Sequence, residues 1–171
     1  AAAERLARAG AEVSETRLPV PMDRLLGVHF FLQNGEGSTV HADLHAQYAD
    51  FYRPTPRASI EVGLLVPAAL YVRALRARRR LTGPMLDLLG SFDGIIAPTA
   101  ANVAPDPSTT GDPSFQSIWT LFGVPNVSIP TGLSTDRLPY GLQIVGRPFE
   151  ERALLSTAAW CESIFGHLPV P

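Results

Sequence analysis

Two segments near the C-terminal end of the chain decide the fold: Gly123-Val-Pro-Asn-Val-Ser-Ile-Pro-Thr-Gly132 and Leu138-Pro-Tyr-Gly-Leu-Gln-Ile-Val-Gly146. Each contains a short apolar run bounded by glycine or proline, which is typical of a strand buried on both faces. The runs predict strands at 126–129 and 141–145. About ten residues connect them, too few for a helical crossover, so we expect these two strands to pair antiparallel.

The segments on either side complete a regular order of elements. Asp93-Gly-Ile-Ile-Ala-Pro98 predicts a third buried strand, and a long loop rich in Pro, Ser, Thr and Gly follows at 99–117. A short helix is predicted at 118–122. The last helix has a clear apolar face, formed by Leu154, Ala158, Cys161 and Phe165. Residues 93–171 therefore read as strand–helix–strand–strand–helix.

Residues 1–92 are predicted to be mainly helical, with one strand. The boundaries follow from glycine and proline positions: a first helix ending at Gly10, a strand at 11–18, a helix stopped by Asn34-Gly35, a long helix kinked or split at Pro67, and a separate short helix at 85–89 after Gly83-Pro84. With the C-terminal half, this order predicts one α/β domain over 1–171, whose sheet has mixed strand directions.

The composition excludes several classes of function. The chain has 171 residues and a formal net charge of −2, so no overall attraction to nucleic acid or anionic lipid is expected. A single cysteine, Cys161, excludes an internal disulfide framework. All 14 basic residues are arginine. Any reaction that needs a lysine amine therefore cannot be carried out by this chain alone.

Three segments in order resemble the amidase signature family. They are Asp93 to Thr99, an Asp that opens a buried strand ending in Pro-Thr; Gly123 to Gly132, with Gly-x-Pro before a strand closing in Pro-x-Gly; and Leu138 to Gly146, with Leu-Pro-x-Gly-Leu-Gln before the terminal helix. The helix at 71–80 is similar to the family's Tyr-x-x-Ala-x-x-x-Arg helix. The resemblance is to the C-terminal portion of the family's domain and covers nearly the whole chain.

The resemblance implies an incomplete α/β/α sandwich with a mixed sheet, and hydrolysis of carboxylic amides through a serine acyl-enzyme. The family's catalytic unit is a serine nucleophile, a second serine and a lysine base, and it needs no cofactor. A hydroxyl is a weak nucleophile until a neighbouring group accepts its proton. The lysine has no counterpart here, and the nearest match to the serine segment, Asn34-Gly-Glu-Gly-Ser38, is interpreted as a surface turn.

We therefore expect a fragment that has no catalytic residue of its own and is inactive alone. It would supply sheet and substrate-pocket wall to the missing N-terminal part of the same amidase, which would act on a small amide. Candidate substrate-binding residues are Trp119, Thr99 and Phe115, because the loop at 99–117 leaves the carboxyl end of a strand, where α/β proteins bind ligands. For Trp119, packing between helix and sheet is an equally weighted alternative.

Other patterns favour less specialised interpretations. His41 and His45 could share a helix face, but no third ligand accompanies them, so no metal site is predicted. The arginine run at 73–80 is interpreted as a solvated helix face rather than a nucleic-acid contact. Neither a signal peptide nor a membrane span is predicted, which favours a cytoplasmic protein.

Two alternatives to the amidase fragment remain open. One is a non-catalytic interaction module that binds a partner across the exposed sheet. The other is part of the catalytic subunit of a tRNA-dependent amidotransferase. A sheet interrupted within a domain has an unpaired edge, so self-association of the isolated chain is also expected.

Overall fold

The computed structural model describes residues 2–166 and contains six α-helices and three strands in that range. The helices are α1 (Ala2–Arg8), α2 (Met22–Tyr48), α3 (Pro54–Leu64), α4 (Ala68–Gly90), α5 (Ser114–Phe122) and α6 (Glu151–Phe165), and a 3₁₀ turn covers Ala49–Phe51. The strands are β1 (Ile95–Pro98), β2 (Asn126–Leu133) and β3 (Pro139–Val145). The order β1–α5–β2–β3–α6 confirms the element order expected from residue 93 onward.

The described residues form two compact units. One unit contains residues 2–19 and 84–166, including the sheet, and the other contains residues 20–83, which are helical. The expectation that residues 1–171 are the C-terminal portion of a single domain stays a prediction.

The sheet has the strand order β1–β3–β2, and both neighbouring pairs are antiparallel. The antiparallel pairing of β2 with β3 is confirmed, with Ser128 opposite Gln143. The backbone N–H of Ser134 donates to the carbonyl of Leu138 at 2.8 Å and closes the tight turn between them. Strand β3 lies between β2 and β1 and runs antiparallel to both. The described part of the sheet therefore has no parallel pair, whereas a sheet with mixed strand directions was expected.

Helices cover both faces of this sheet. The apolar stripe predicted for α6 is buried, and it packs with Leu6 of α1 against Ile129, Leu142 and Ile144. Side chains alternate along a strand, so Gln143 of β3 points to the opposite face, where it meets Trp119 of α5. The described sheet therefore lies between α6 and α5, in the three-layer α/β/α arrangement that the resemblance implies.

The structure corrects three of the local predictions. Residues 11–18 form no strand: the segment is polar, and Val13 in it is 40% exposed, so it has little apolar surface to bury in a sheet. Pro84 lies inside α4 and does not end it. Pro84 is exposed, so the carbonyl that loses its helical hydrogen bond can be hydrated. The predicted break at Pro67 is confirmed, because α3 ends at Leu64 and α4 begins at Ala68.

The third correction concerns the glycine-rich string at 34–38, which lies inside α2 rather than in a surface turn. Helix packing explains the difference. A Cβ atom at Gly63 of α3 would lie 2.0 Å from the Asn34 carbonyl oxygen and 2.7 Å from Ser38 Cβ, so the two helices cross with their backbones in close approach. Tertiary packing of small residues at this crossing outweighs the low helix propensity of glycine.

No single helix within residues 2–166 has the length and apolar character of a membrane span. Helices α3 and α4 taken together pass that test on length and composition, but they are bent by 98° at the break between them.

Candidate functional site

The sheet face that α5 covers is unusually polar. Along β3, Gly141 and Gln143 point to this face, and the register places Ser128 of β2 opposite Gln143. Thr99, which directly follows β1, continues the ladder by donating its backbone N–H to the carbonyl of Gly141 at 3.0 Å. Asn126, two residues before Ser128, also points to this side. We call these five residues the polar sheet face.

Two hydroxyl groups meet at one end of the polar sheet face. Thr99 Oγ1 and Ser128 Oγ are 2.7 Å apart and share a hydrogen bond. Gly141 lies between their strands, and a Cβ atom there would approach Thr99 Oγ1 to 2.6 Å and Ser128 Oγ to 2.9 Å. The hydroxyl pair therefore requires glycine at position 141.

An aromatic and amide network occupies the other end. Trp119 is only 2% exposed, and its indole N–H donates to Gln143 Oε1 at 3.0 Å. The Gln143 amide nitrogen in turn donates to Asn126 Oδ1 at 3.1 Å. Gln143 is 1% exposed. These bonds satisfy polar groups that would be expensive to bury unpaired, and they fix the angle at which α5 lies on the sheet.

Hydrogen bonds at both ends of the long loop between β1 and α5 hold it near the polar sheet face. The Gln116 amide nitrogen of α5 donates to the carbonyl of Thr99. Just before α5, the Asp112 carboxylate accepts hydrogen bonds from the backbone N–H and the hydroxyl of Ser114, the N–H at 2.8 Å. These bonds hold the pKa of the Asp112 carboxyl below its usual value. Gly123, at φ 63°, then ends the helix in the left-handed conformation that glycine adopts without strain.

The three candidate binding residues all lie in this region. Thr99 supplies one of the paired hydroxyls, and Phe115, in the first turn of α5, is half-buried. The burial of Trp119 supports its packing role, and contact of its ring with a substrate stays a prediction. Sequence reasoning missed Ser128 and Gln143. The two strands were assigned as buried on both faces, but polar and apolar residues alternate along them. That alternation was the signal that could have identified Ser128 and Gln143.

Within residues 2–166, the hydroxyl pair on the polar sheet face has no proton-accepting base hydrogen-bonded to it. A hydroxyl becomes a nucleophile when a base accepts its proton, but the hydrogen-bond partner of Ser128 Oγ is another hydroxyl, that of Thr99. The chain contains no lysine to act as a base. Residues 2–166 also contain no group of three His, Cys, Asp or Glu side chains that could hold a metal ion.

The other serine considered from sequence, Ser38, is buried within a helix. Ser38 is 3% exposed in α2, and its hydroxyl donates to the carbonyl of Gly35 at 2.9 Å. Of the nearby histidines, His41 places Nδ1 2.9 Å from the Tyr52 hydroxyl, and His45 places Nε2 3.5 Å from Glu61 Oε1. Cys161 is buried on α6, and burial raises the pKa of its thiol, which disfavours the reactive thiolate.

Comparison with known proteins identifies the class to which this sheet and helix arrangement belongs. The amidase family model matches residues 1–155. The chain is 34% identical over 134 residues to a subunit of the glutamyl-tRNA(Gln) amidotransferase from Azorhizobium caulinodans, with 70% of this chain and 27% of the relative covered. It is 33% identical over 123 residues to a fatty acid amide hydrolase from Medicago truncatula, with 64% and 20% covered.

The solved structures agree on the fold. A crystal structure of an amidase superposes with a TM-score of 0.87 at 24% identity, with 96% of this chain and 40% of that chain covered. The chain belongs to the amidase family. It spans between a fifth and two-fifths of the length of these three proteins.

Proposed function

We propose that this chain is the C-terminal portion of an amide hydrolase and forms one wall of its substrate pocket. The single observation that carries this proposal is the polar sheet face, where two hydroxyls pair with each other and, in the part of the chain that the structure describes, no base is hydrogen-bonded to them. Family membership supports amide hydrolysis as the activity. Because the chain covers only part of the length of these relatives, we propose that another segment supplies the rest of the active site.

In this proposal the nucleophile and base belong to the missing N-terminal part of the same amidase. The lack of lysine means that a lysine base must come from outside these 171 residues. The chain alone is therefore inactive. Once the two parts are joined, a serine hydroxyl activated by lysine attacks the amide carbonyl, the amine or ammonia leaves, and water releases the acid from the acyl-enzyme.

Thr99 and Phe115 are proposed to face the substrate. The Thr99 hydroxyl is held by Ser128 at a fixed position and retains capacity for a further hydrogen bond, which suits recognition of a polar group near the scissile amide. Phe115 precedes Gln116, which donates to the Thr99 carbonyl, and is proposed to supply an apolar surface for the substrate. Trp119 is proposed to position α5 on the sheet through its hydrogen bond to Gln143, without contacting the substrate.

Substrate-pocket variants in the assembled protein test this assignment. With the chain joined to its N-terminal part, Thr99→Val should raise KM several-fold with little change in kcat, because it removes a hydrogen bond used in binding. Thr120→Val is the matched control, since the hydroxyl of this exposed threonine donates to the Gln116 carbonyl of its own helix. Equal kinetics for Thr99→Val and the control would contradict the pocket assignment.

The catalytic subunit of a tRNA-dependent amidotransferase is the second candidate function. It is favoured by the relative from such an enzyme, at 34% identity over 70% of this chain. The two functions differ in substrate: as part of an amidotransferase the assembled protein would hydrolyse glutamine efficiently, but as a free amidase it would prefer simple alkyl or aryl amides. Ammonia release from glutamine and from benzamide, measured side by side, separates them.

We further propose that the protein is cytoplasmic and that the isolated chain self-associates. In the described residues β1 and β2 are the outer strands of the sheet, and each has one edge without a strand partner. Light scattering over a concentration series tests the second point, and a monomer at all concentrations would contradict it.

A further inference from the structure

A groove with a basic rim runs between α2 and α4 in the helical unit. It has a volume of about 530 Å³. Arg24 of α2 lies on one side, and Arg73, Arg76 and Arg80 of α4 lie on the other. All four side chains are exposed. None of the residues that line this groove belongs to the polar sheet face, and the proposed amidase function does not use the groove.

The four arginines have no counter-charge in the described part of the chain. Within residues 2–166, no carboxylate forms an ion pair with Arg24, Arg73, Arg76 or Arg80. For the three arginines on α4 the sequence explains this, because residues 68–82 include five arginines and no acidic residue. Four unpaired cations around one groove create a local positive potential in a chain whose net charge is −2.

The floor of the groove is apolar and made partly of small residues. Gly27 and Val28 line it from α2, and Ala74 and Ala77 line it from α4. Ala74 and Ala77 are three residues apart and so share a helix face. Small side chains on both helices let a third backbone approach closely, and Phe31 adds apolar contact area.

From this geometry we propose that the groove binds an acidic amphipathic helix of a partner protein. The apolar face of that helix would pack on Gly27, Ala74 and Ala77, and glutamate or aspartate on its flanks would pair with the rim arginines. Nucleic acid fits less well, because phosphates gain nothing from an apolar floor. The arginine positions on α4 span two turns of helix, which sets the length of helix the groove accommodates.

A designed peptide tests the proposal directly. The probe is a fluorescent helix of about 18 residues with leucine at i, i+3, i+4 and i+7 and glutamate on the flanks. We expect saturable binding by fluorescence anisotropy with the full 171-residue chain. Binding should weaken when ionic strength rises from about 0.1 M to about 1 M, because the screening length falls from about 10 Å to about 3 Å.

Paired variants locate the binding surface. Arg73→Glu with Arg76→Glu should weaken binding roughly tenfold or more, because it replaces two attractions with two repulsions. Arg78→Glu with Arg79→Glu makes the same charge change on the same helix outside the groove lining and should leave affinity nearly unchanged.

A second pair of variants tests the floor without changing charge. Ala77→Trp should block the groove, whereas Ala69→Trp, an exposed position outside the lining, should not. Circular dichroism confirms that each variant retains its helices. These four variants separate charge from shape in the binding surface.

Several outcomes would overturn the proposal. They are no saturable binding, equal binding of a peptide with lysine in place of glutamate, equal loss in both charge-reversal variants, or tight binding of poly(U) RNA or myristate with no binding of the acidic peptide. None of these outcomes bears on the proposed amide hydrolysis, because the polar sheet face belongs to the other unit.

Discussion

Replacing Gly141 with alanine adds a single methyl group, and we predict that this methyl group disrupts the polar sheet face. The new Cβ atom would lie 2.6 Å from Thr99 Oγ1 and 2.8 Å from Thr99 Cβ, well inside the 3.4 Å at which ordinary van der Waals contact begins. Rotating the Thr99 side chain moves its oxygen but leaves its Cβ in place. The backbone of one strand must therefore shift.

The expected destabilisation follows from two contributions. Overpacking a well-packed site costs about 1–3 kcal/mol. Separation of the Thr99 and Ser128 hydroxyls removes one hydrogen bond worth about 1 kcal/mol. The free energy of unfolding of the sheet-containing unit should fall by about 2–4 kcal/mol in Gly141→Ala.

Urea unfolding followed by the fluorescence of Trp119 measures this change, in a Trp160→Phe background so that one indole reports. Gly132→Ala is the matched control, since a Cβ atom at Gly132 of β2 would have no heavy atom within 4 Å. Adding Thr99→Gly to Gly141→Ala should recover part of the lost stability by removing the clashing Cβ. If Gly141→Ala and Gly132→Ala unfold at the same urea concentration, the conclusion that the Gly141 site has no room for a Cβ atom is contradicted.

Three further predictions concern other parts of the structure. Gln143→Met should cost about 1–3 kcal/mol by leaving the buried Trp119 N–H unpaired, and should shift the indole N–H resonance in NMR spectra. Gly63→Ala should separate α3 from α2 at Asn34 and cost about 3 kcal/mol or more, measured by thermal unfolding followed by circular dichroism. Asp112 has a lowered pKa when folded, so the stability it contributes is present at neutral pH and is lost as pH falls below about 4; Asp112→Asn should flatten that acid dependence in urea titrations.

Each of these predictions has a control or a contrary result. Gly37→Ala, in α2 and with open space around its Cβ position, should be neutral or slightly stabilising, in contrast to Gly63→Ala in α3. An unchanged indole resonance in Gln143→Met would contradict the network at Trp119. An identical acid titration of Asp112→Asn and the parent protein would show that the hydrogen bonds from Ser114 contribute nothing.

The sheet and the last helix could be predicted from sequence because their signals are local. Buried strands bounded by glycine and proline, and the apolar stripe ending at Phe165, depend on residues close together in the chain. The helix through Asn34-Gly35 could not be predicted, because it is stabilised by a crossing with Gly63, about thirty residues away. Local turn propensity was outweighed by that contact.

The candidate site was only partly predictable for the same reason. Thr99 stood out as the residue after a strand, but its partner Ser128 lies 29 residues further on. The register that places them side by side depends on β3 lying between their two strands. Sequence spacing alone does not specify which strand takes the central position.

We propose that the catalytic serine and lysine lie outside these 171 residues. Covalent labelling with a serine-directed fluorophosphonate, combined with an assay of released ammonia, tests this proposal most directly. The 171 residues alone should take up no stoichiometric label and release no ammonia from an amide. Joined to an N-terminal segment that carries serine and lysine, the protein should take up one label per chain, on a residue outside these 171. A stoichiometric label on the chain by itself, or enzymatic ammonia release by it, would contradict the account.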